Sequence, residues 1–288
     1  MRKIQFFYKI SKFTALYIFM KKCLIVTSLF LMTFLFGQKM SFVYEMKYRL
    51  NKKNPDKYIT NTMILDFSDN VSIFRSKVDR ISDSLKMNNG SSKIYSSNFE
   101  NQFYIKKNLI NSDIANIITN SEFIYLIRIQ EVLKWEILSE KKKIGSNNCQ
   151  KASVNYGGRE WIAWFTNEIP INDGPYIFNG LPGLIVSIVD KDRDYEFNLI
   201  EIKKSSNLFD VKKNTITIDW NKFEKLAKTY YENPNSSLEQ KIKSYKYYRY
   251  QDAKGNDIEL NLKEMNKGQQ NYIKSTNNPI ELNHRIDY

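Results

Sequence analysis

The segment that most restricts how this chain can fold runs from Pro170 to Gly183. It holds Pro170, Gly174-Pro175 and Gly180-Leu181-Pro182-Gly183, and it separates the apolar runs Trp161-Ile162-Ala163-Trp164-Phe165 and Leu184–Val189. Proline lacks the amide donor a helix interior needs, so no helix passes through such a stretch. The flanking runs are aromatic and β-branched, as strands covered on both faces are. The segment therefore reads as an ordered connection between strands, with Ile169, Ile171, Tyr176, Phe178 and Leu181 available to pin it. Upstream, Gly157-Gly158 interrupts an alternating stretch from Ala152 to Thr166, which predicts a hairpin with a tight two-residue turn. Pro182 fixes one φ angle and biases Leu181 away from the helical region, and Gly183 is expected at a positive φ or at a close approach of another strand.

The same logic extends along the chain. Phe42, Tyr44, Met46 and Tyr48 alternate with Glu45, Lys47 and Arg49, a first strand. Strands are expected at 57–67, 71–75, 102–107, 123–130 and 132–140, with another from Lys93 after a loop at 87–92. Val78, Ile81 and Leu85 predict a short helix over 77–86. Lys141-Lys142-Lys143 reads as a solvated bend or a sheet edge, where lysine discourages further pairing. Asp190–Asp194 is a charged hairpin turn leading to a return strand at 195–203. Past residue 215 come a short strand and a helix capped by Asp219 and ended by Asn233-Pro234. A second helix follows from Asn235 or Ser236, then a Tyr245–Tyr250 run ambiguous between helix and strand. The rest reads as a loosely packed extension, with 277–282 able to return to the sheet. The expected fold is mainly β (α+β): a strongly curved, half-barrel-like antiparallel sheet, its open side covered by the helices near 77–86 and 219–231. Its concavity either holds an apolar ligand or is filled by the chain's own side chains.

Residues 1–38 read as a signal peptide. Arg2, Lys3, Lys9, Lys12, Lys21 and Lys22 precede an uncharged stretch, Cys23–Phe36, that is too short for a stable span and is followed by Gly37-Gln38. Met20 is a second candidate start. The expected product is exported to the periplasm or cell envelope, or outside the cell, and begins near Gln38 or Lys39 as one sheet-rich domain over 39–288. The chain carries 44 Lys plus Arg against 31 Asp plus Glu, and the leader takes six of the basic residues. The remainder is mildly basic with scattered charge and no recognition motif, which argues against a nucleic-acid partner.

Candidate chemistry is thin. Cys149 is the only cysteine after the leader, so no intrachain disulfide is available. The sole histidine, His284, lies far along the chain, and no nucleophile elbow, P-loop or dinucleotide fingerprint occurs. Asp190, Asp192 and Asp194 invite a calcium reading, but the glycine and glutamate that would complete an EF-hand loop are missing. Carboxylate pairs such as Glu160 with Glu168 are available to a glycan hydrolase, although these two lie on opposite sides of a strand and its following loop. The balance favours a non-enzyme with no cofactor and no metal.

The run Gly180–Ile185 spells the signature of the GLPGLI family of Bacteroidetes secreted proteins. The resemblance extends through Lys134-Trp135-Glu136-Ile137, Ile144-Gly145, Cys149-Gln150-Lys151-Ala152, Gly158-Arg159, Ala163–Thr166, Glu168-Ile169-Pro170, Gly174-Pro175 and Phe178. It implies an exported, strand-rich envelope protein without an established activity. The residues read here as a face for a partner protein or an apolar ligand are Trp161, Trp164, Tyr176, Phe178 and Leu181. Gly157, Gly158, Gly174, Pro175, Gly180, Pro182 and Gly183 form the conformational frame beside it. A purely structural envelope role is the remaining alternative.

Overall fold

The computed structural model describes Lys21 and residues 39–288, except 53–55, 91–101, 121–122, 205–206, 245–249, 252–254 and 259. The leader, the strand expected from Lys93 and most of the Tyr245–Tyr250 run lie outside the described residues, while the loop expected at 87–92 is in part helix, which continues to Asn89 and ends at Gly90. Among the described residues no helix is long and apolar enough to cross a membrane.

Among the described residues twelve strands form one open sheet: β1 (Met40–Tyr48), β2 (Ile59–Ser68), β3 (Val71–Ser76), β4 (Ile105–Asn108), β5 (Asp113–Thr119), β6 (Ile124–Ile129), β7 (Glu136–Ile144), β8 (Asn147–Tyr156), β9 (Arg159–Thr166), β10 (Leu184–Asp190), β11 (Tyr195–Lys204) and β12 (Ile216–Ile218). Their order is β12-β6-β5-β4-β3-β2-β1-β11-β10-β9-β8-β7. Every pairing is antiparallel except β12 with β6. A separate small ribbon joins β13 (Tyr250–Gln251) to β14 (Asp257–Ile258). Among the described residues the α-helices are α1 (Lys77–Asn89), α2 (Trp220–Glu232), α3 (Ser236–Ser244) and α4 (Leu262–Ser275).

The sheet curls. Phe74 of β3 and Phe197 of β11 are separated by three inter-strand spacings, roughly 14 Å in a flat sheet. Their ring centroids nevertheless stand 6.0 Å apart. Side chains from Phe42, Tyr44, Met63, Trp161, Phe165 and Phe197 converge there as one main core. The curved, mainly β expectation is met.

Several local readings are corrected. Lys141-Lys142-Lys143 is not a bend: it lies inside β7, the terminal strand, whose outer edge it charges while Gly145 makes the turn. β5 was not anticipated, because Asn108–Ser112 and Asn116 broke up its apolar pattern. The extension after residue 255 contains α4, capped by Asn261, whose side chain accepts from the Glu264 amide. The segment after it, 277–286, is packed into the core rather than paired as a strand: Ile280 and Ile286 are 4% and 5% exposed. Both helices form, with Ser76 and Asp219 as caps accepting from the Asp79 and Lys222 amides, but α1 does not cover the open side: its Asp83 meets Arg75 and Tyr104 on the convex face.

Candidate functional site

Alternation along β9 sends Arg159, Trp161, Ala163 and Phe165 to the concave face, and Glu160, Ile162 and Trp164 to the convex one. Trp161, Tyr176, Phe178 and Leu181 are at most 1% exposed. Trp161 packs on Phe178 at 4.7 Å between centroids and donates its Nε1–H to the Tyr156 carbonyl at 3.1 Å. The expected open aromatic face is therefore corrected: four of its five residues fill the core. The fifth, Trp164, is half-buried on the other side, under the Lys142 ammonium at 4.0 Å from its ring centroid.

The central loop, 167–183, descends into the concavity and plugs it. Gly183 has φ +146°, and a Cβ there would stand 2.1 Å from the Thr166 carbonyl oxygen. Only glycine fits, so the close-approach reading of this position holds. Gly157 and Gly158 have φ +61° and +74°, the two left-handed residues a tight hairpin turn requires. The tail crosses this turn closely: Leu282 N–H donates to the Gly157 carbonyl at 2.6 Å. Gly174, Pro175, Gly180 and Pro182 lie along the same loop, with Gly174 against the Ile185 side chain.

Arg159 is the hub that sequence reasoning missed. Its Nε donates to the Ile280 carbonyl at 3.0 Å, and Nη1 to both Asp190 and Asp194 at 2.9 Å. Nη2 donates to Asn278 Oδ1 and the Pro279 carbonyl at 2.8 Å. Tyr195 lies beneath the guanidinium and donates to the Asn278 carbonyl at 2.6 Å. Burial raises the Asp190 carboxyl above its usual range, against the opposing Tyr195 amide and Arg159. Burial also pushes Asp194 up, but bonds from Arg159 and Asn278 and the nearby Lys52 outweigh it, and its net shift is downward. The acidic cluster of Asp190, Asp192 and Asp194 is thus already served by an internal cation, with Asp192 exposed. The signal was a charged residue on the apolar face of an alternating strand, which demands partners.

Beside this hub Glu281 is buried, accepting from Tyr156 at 3.0 Å and from Tyr176 through a shorter bond. Burial pushes its carboxyl up to about 6, although both phenols favour the charged form. Where the segment leading into β4, β5, the central loop, α2 and the tail meet, a cavity of about 70 Å³ remains. Phe103, Asn116, Tyr176, Trp220, Glu281 and His284 line it. Asn116 is 5% exposed and its Oδ1 has no hydrogen-bond partner. His284 stacks on Trp220 at 4.1 Å, and burial lowers its pKa.

The remaining candidates are not brought together. Glu160 and Glu168 lie eight residues apart along an extended path, roughly 25 Å, whereas glycosidase carboxylates stand about 5–9.5 Å apart. They bind Lys191 and Asn148 instead. Cys149 is buried, with its thiol pKa raised by that burial, an inert setting.

These features define a class: an open, curled β-sheet whose concave face is filled by its own loop and tail, with a small, mostly apolar cavity between them. Over residues 156–187, which span the hairpin turn and the plugging loop, the chain matches the family model described as "Protein of unknown function (Porph_ging)". No curated protein matches the chain. Among solved structures it is similar to PNGF-II in its C2 and P21 crystal forms, at 17% and 18% identity and a TM-score of 0.48 for each. Those matches cover 66% of this chain, which spans only 33% of the PNGF-II chains, a likeness too slight to carry any statement about activity.

Proposed function

We propose that the chain is a non-enzymatic, exported envelope protein of the GLPGLI type that binds a partner protein at the cavity beside Glu281. The observation that carries this reading is the unfilled space itself, in a concavity otherwise packed by aromatic rings. Tyr176 of the central loop, Trp220 of α2 and His284 of the tail all border it, and it retains an unpartnered Asn116 oxygen. Pockets for drug-sized ligands hold about 300–1,000 Å³, so a space of about 70 Å³ suits the end of one protruding side chain rather than a lipid. The apolar-ligand reading loses its support on that ground. The hydrolase reading loses the pair of carboxylates it rested on. Export follows from the composition of the leader.

Photo-crosslinking in the native envelope tests this. A photoreactive residue at position 284 is expected to yield a discrete protein adduct, and one at the exposed position 200 on β11 is not. Equal labelling from both positions, or none from 284, would remove the proposal.

A further inference from the structure

Lys107 of β4 and Asp173 of the central loop meet on the concave side, both side chains fully shielded from solvent. Lysine is almost never buried so completely unless paired. The Lys107 ammonium contacts Asp173 Oδ1 and donates to the Gly174 carbonyl at 2.7 Å. The Gly174 amide donates to that same Oδ1 at 2.8 Å. Asp173 Oδ2 is equally buried and has no hydrogen-bond partner. A buried ion pair is stable when its remaining lone pairs are also satisfied, and this one leaves an oxygen bare.

We propose that Lys107 and Asp173 are joined by an intramolecular isopeptide bond. The three functional parts are present. Burial lowers the pKa of Lys107, against the attraction of Asp173, and so favours the neutral, nucleophilic amine. Proton transfer within the pair converts ammonium and carboxylate into amine and carboxylic acid, with the acid proton on Oδ2. The amine lone pair adds to Asp173 Cγ, and the charge developing on Oδ1 meets the Gly174 amide, a fixed donor in a dry site. A proton then passes from the nitrogen to Oδ2, the Cγ–Oδ2 bond breaks, and one water leaves. Nothing is oxidised or reduced, and no co-reactant enters. The product amide keeps the Gly174 hydrogen bond to Oδ1 and removes the bare oxygen. It also ties the plugging loop covalently to β4, across the concavity.

Peptide mapping of the purified wild-type protein decides the matter without any variant. The expected result is a branched tryptic peptide linking Lys107 to Asp173, lighter than its two parts by one water, about 18 Da. Trypsin should also fail to cut after Lys107. Lys107→Arg and Asp173→Ala should each abolish the branched species and restore cleavage or full mass. If either variant does not fold, the wild-type map still stands alone. Two linear peptides of full mass from folded wild type, with normal cleavage after Lys107, would overturn the proposal.

Discussion

The two faces of the sheet each bury an arginine, and they use it differently. On the concave face Arg159 makes five hydrogen bonds, three of them to the tail segment 278–280. On the convex face Arg75, equally buried, binds Asp66 at 2.8 Å and the Leu208 carbonyl at 2.6 Å, and lies 3.4 Å from Asp83 of α1. Its Nε has no hydrogen-bond partner, and Arg80 provides Asp66 with a second cation. Burial raises the Asp83 carboxyl, against the opposing Arg75 charge, as it raises Asp190 on the concave face. The lesson is about reach. Each cluster keeps a spare cation, Arg80 at Asp66 and Arg49 and Lys52 at Asp194, but the convex one docks a helix, whereas Arg159 joins two hairpins to the end of the chain.

Removing the hubs should expose that difference first. Arg159→Met should cost about 3–5 kcal/mol, because it removes the ion-pair partner of buried Asp190 and cuts three bonds to the tail. Arg75→Met should cost less, about 2–3 kcal/mol, because Asp66 keeps Arg80. Urea unfolding of both variants at pH 7 measures the gap, and a reversed order would contradict the asymmetry. The tryptophans of β9 repeat the comparison within one strand. Trp161→Ala should cost about 3–5 kcal/mol as a core truncation, and Trp164→Ala only about 1 kcal/mol, chiefly its contact with the Lys142 cation. Equal losses in the same unfolding assay would show that the two faces are not packed differently.

A smaller effect concerns pH. Glu281 has a folded-state value of about 6 against an ordinary 4.5. Between those values the native state binds more protons than the unfolded one, so stability falls as pH rises through this window. The loss is roughly 1–2 kcal/mol and is complete above the folded value. Glu281→Gln should flatten that part of the profile. A stability curve over pH 4–8 that keeps its slope in the variant would assign the effect to another group.

The sheet was legible because its signals are local. Alternation at Phe42–Tyr48 and Trp161–Phe165, and paired glycines at 157–158, each dictate backbone form without distant partners. Gly183 was legible for the same reason, although the atom that excludes a side chain there, the Thr166 carbonyl oxygen, belongs to another strand. The concave filling was not legible, because it depends on where Tyr176, Phe178 and Leu181 turn after leaving β9. Exposure cannot be read from an aromatic run alone, and Trp161 and Trp164 differ only by the parity of their positions. The tail reads as a solvated extension from its Asn, Lys and Gln content, with only 277–282 able to return to the sheet, so its place in the core was not legible. Its anchors are mostly main-chain carbonyls, which any sequence supplies. The charged residue at 159 on an otherwise apolar face was the one available clue.

The account rests on the tail being an integral part of the concave core, held by Arg159. Residue-resolved hydrogen exchange of the full chain tests this directly, read at the Leu282 amide, which donates to Gly157. In wild type its protection should approach that of β9. In Arg159→Met it should fall by at least a hundredfold, about 2.7 kcal/mol, while β9 stays protected. A Leu282 amide that exchanges freely in wild type, or that is unchanged in the variant, would contradict the account.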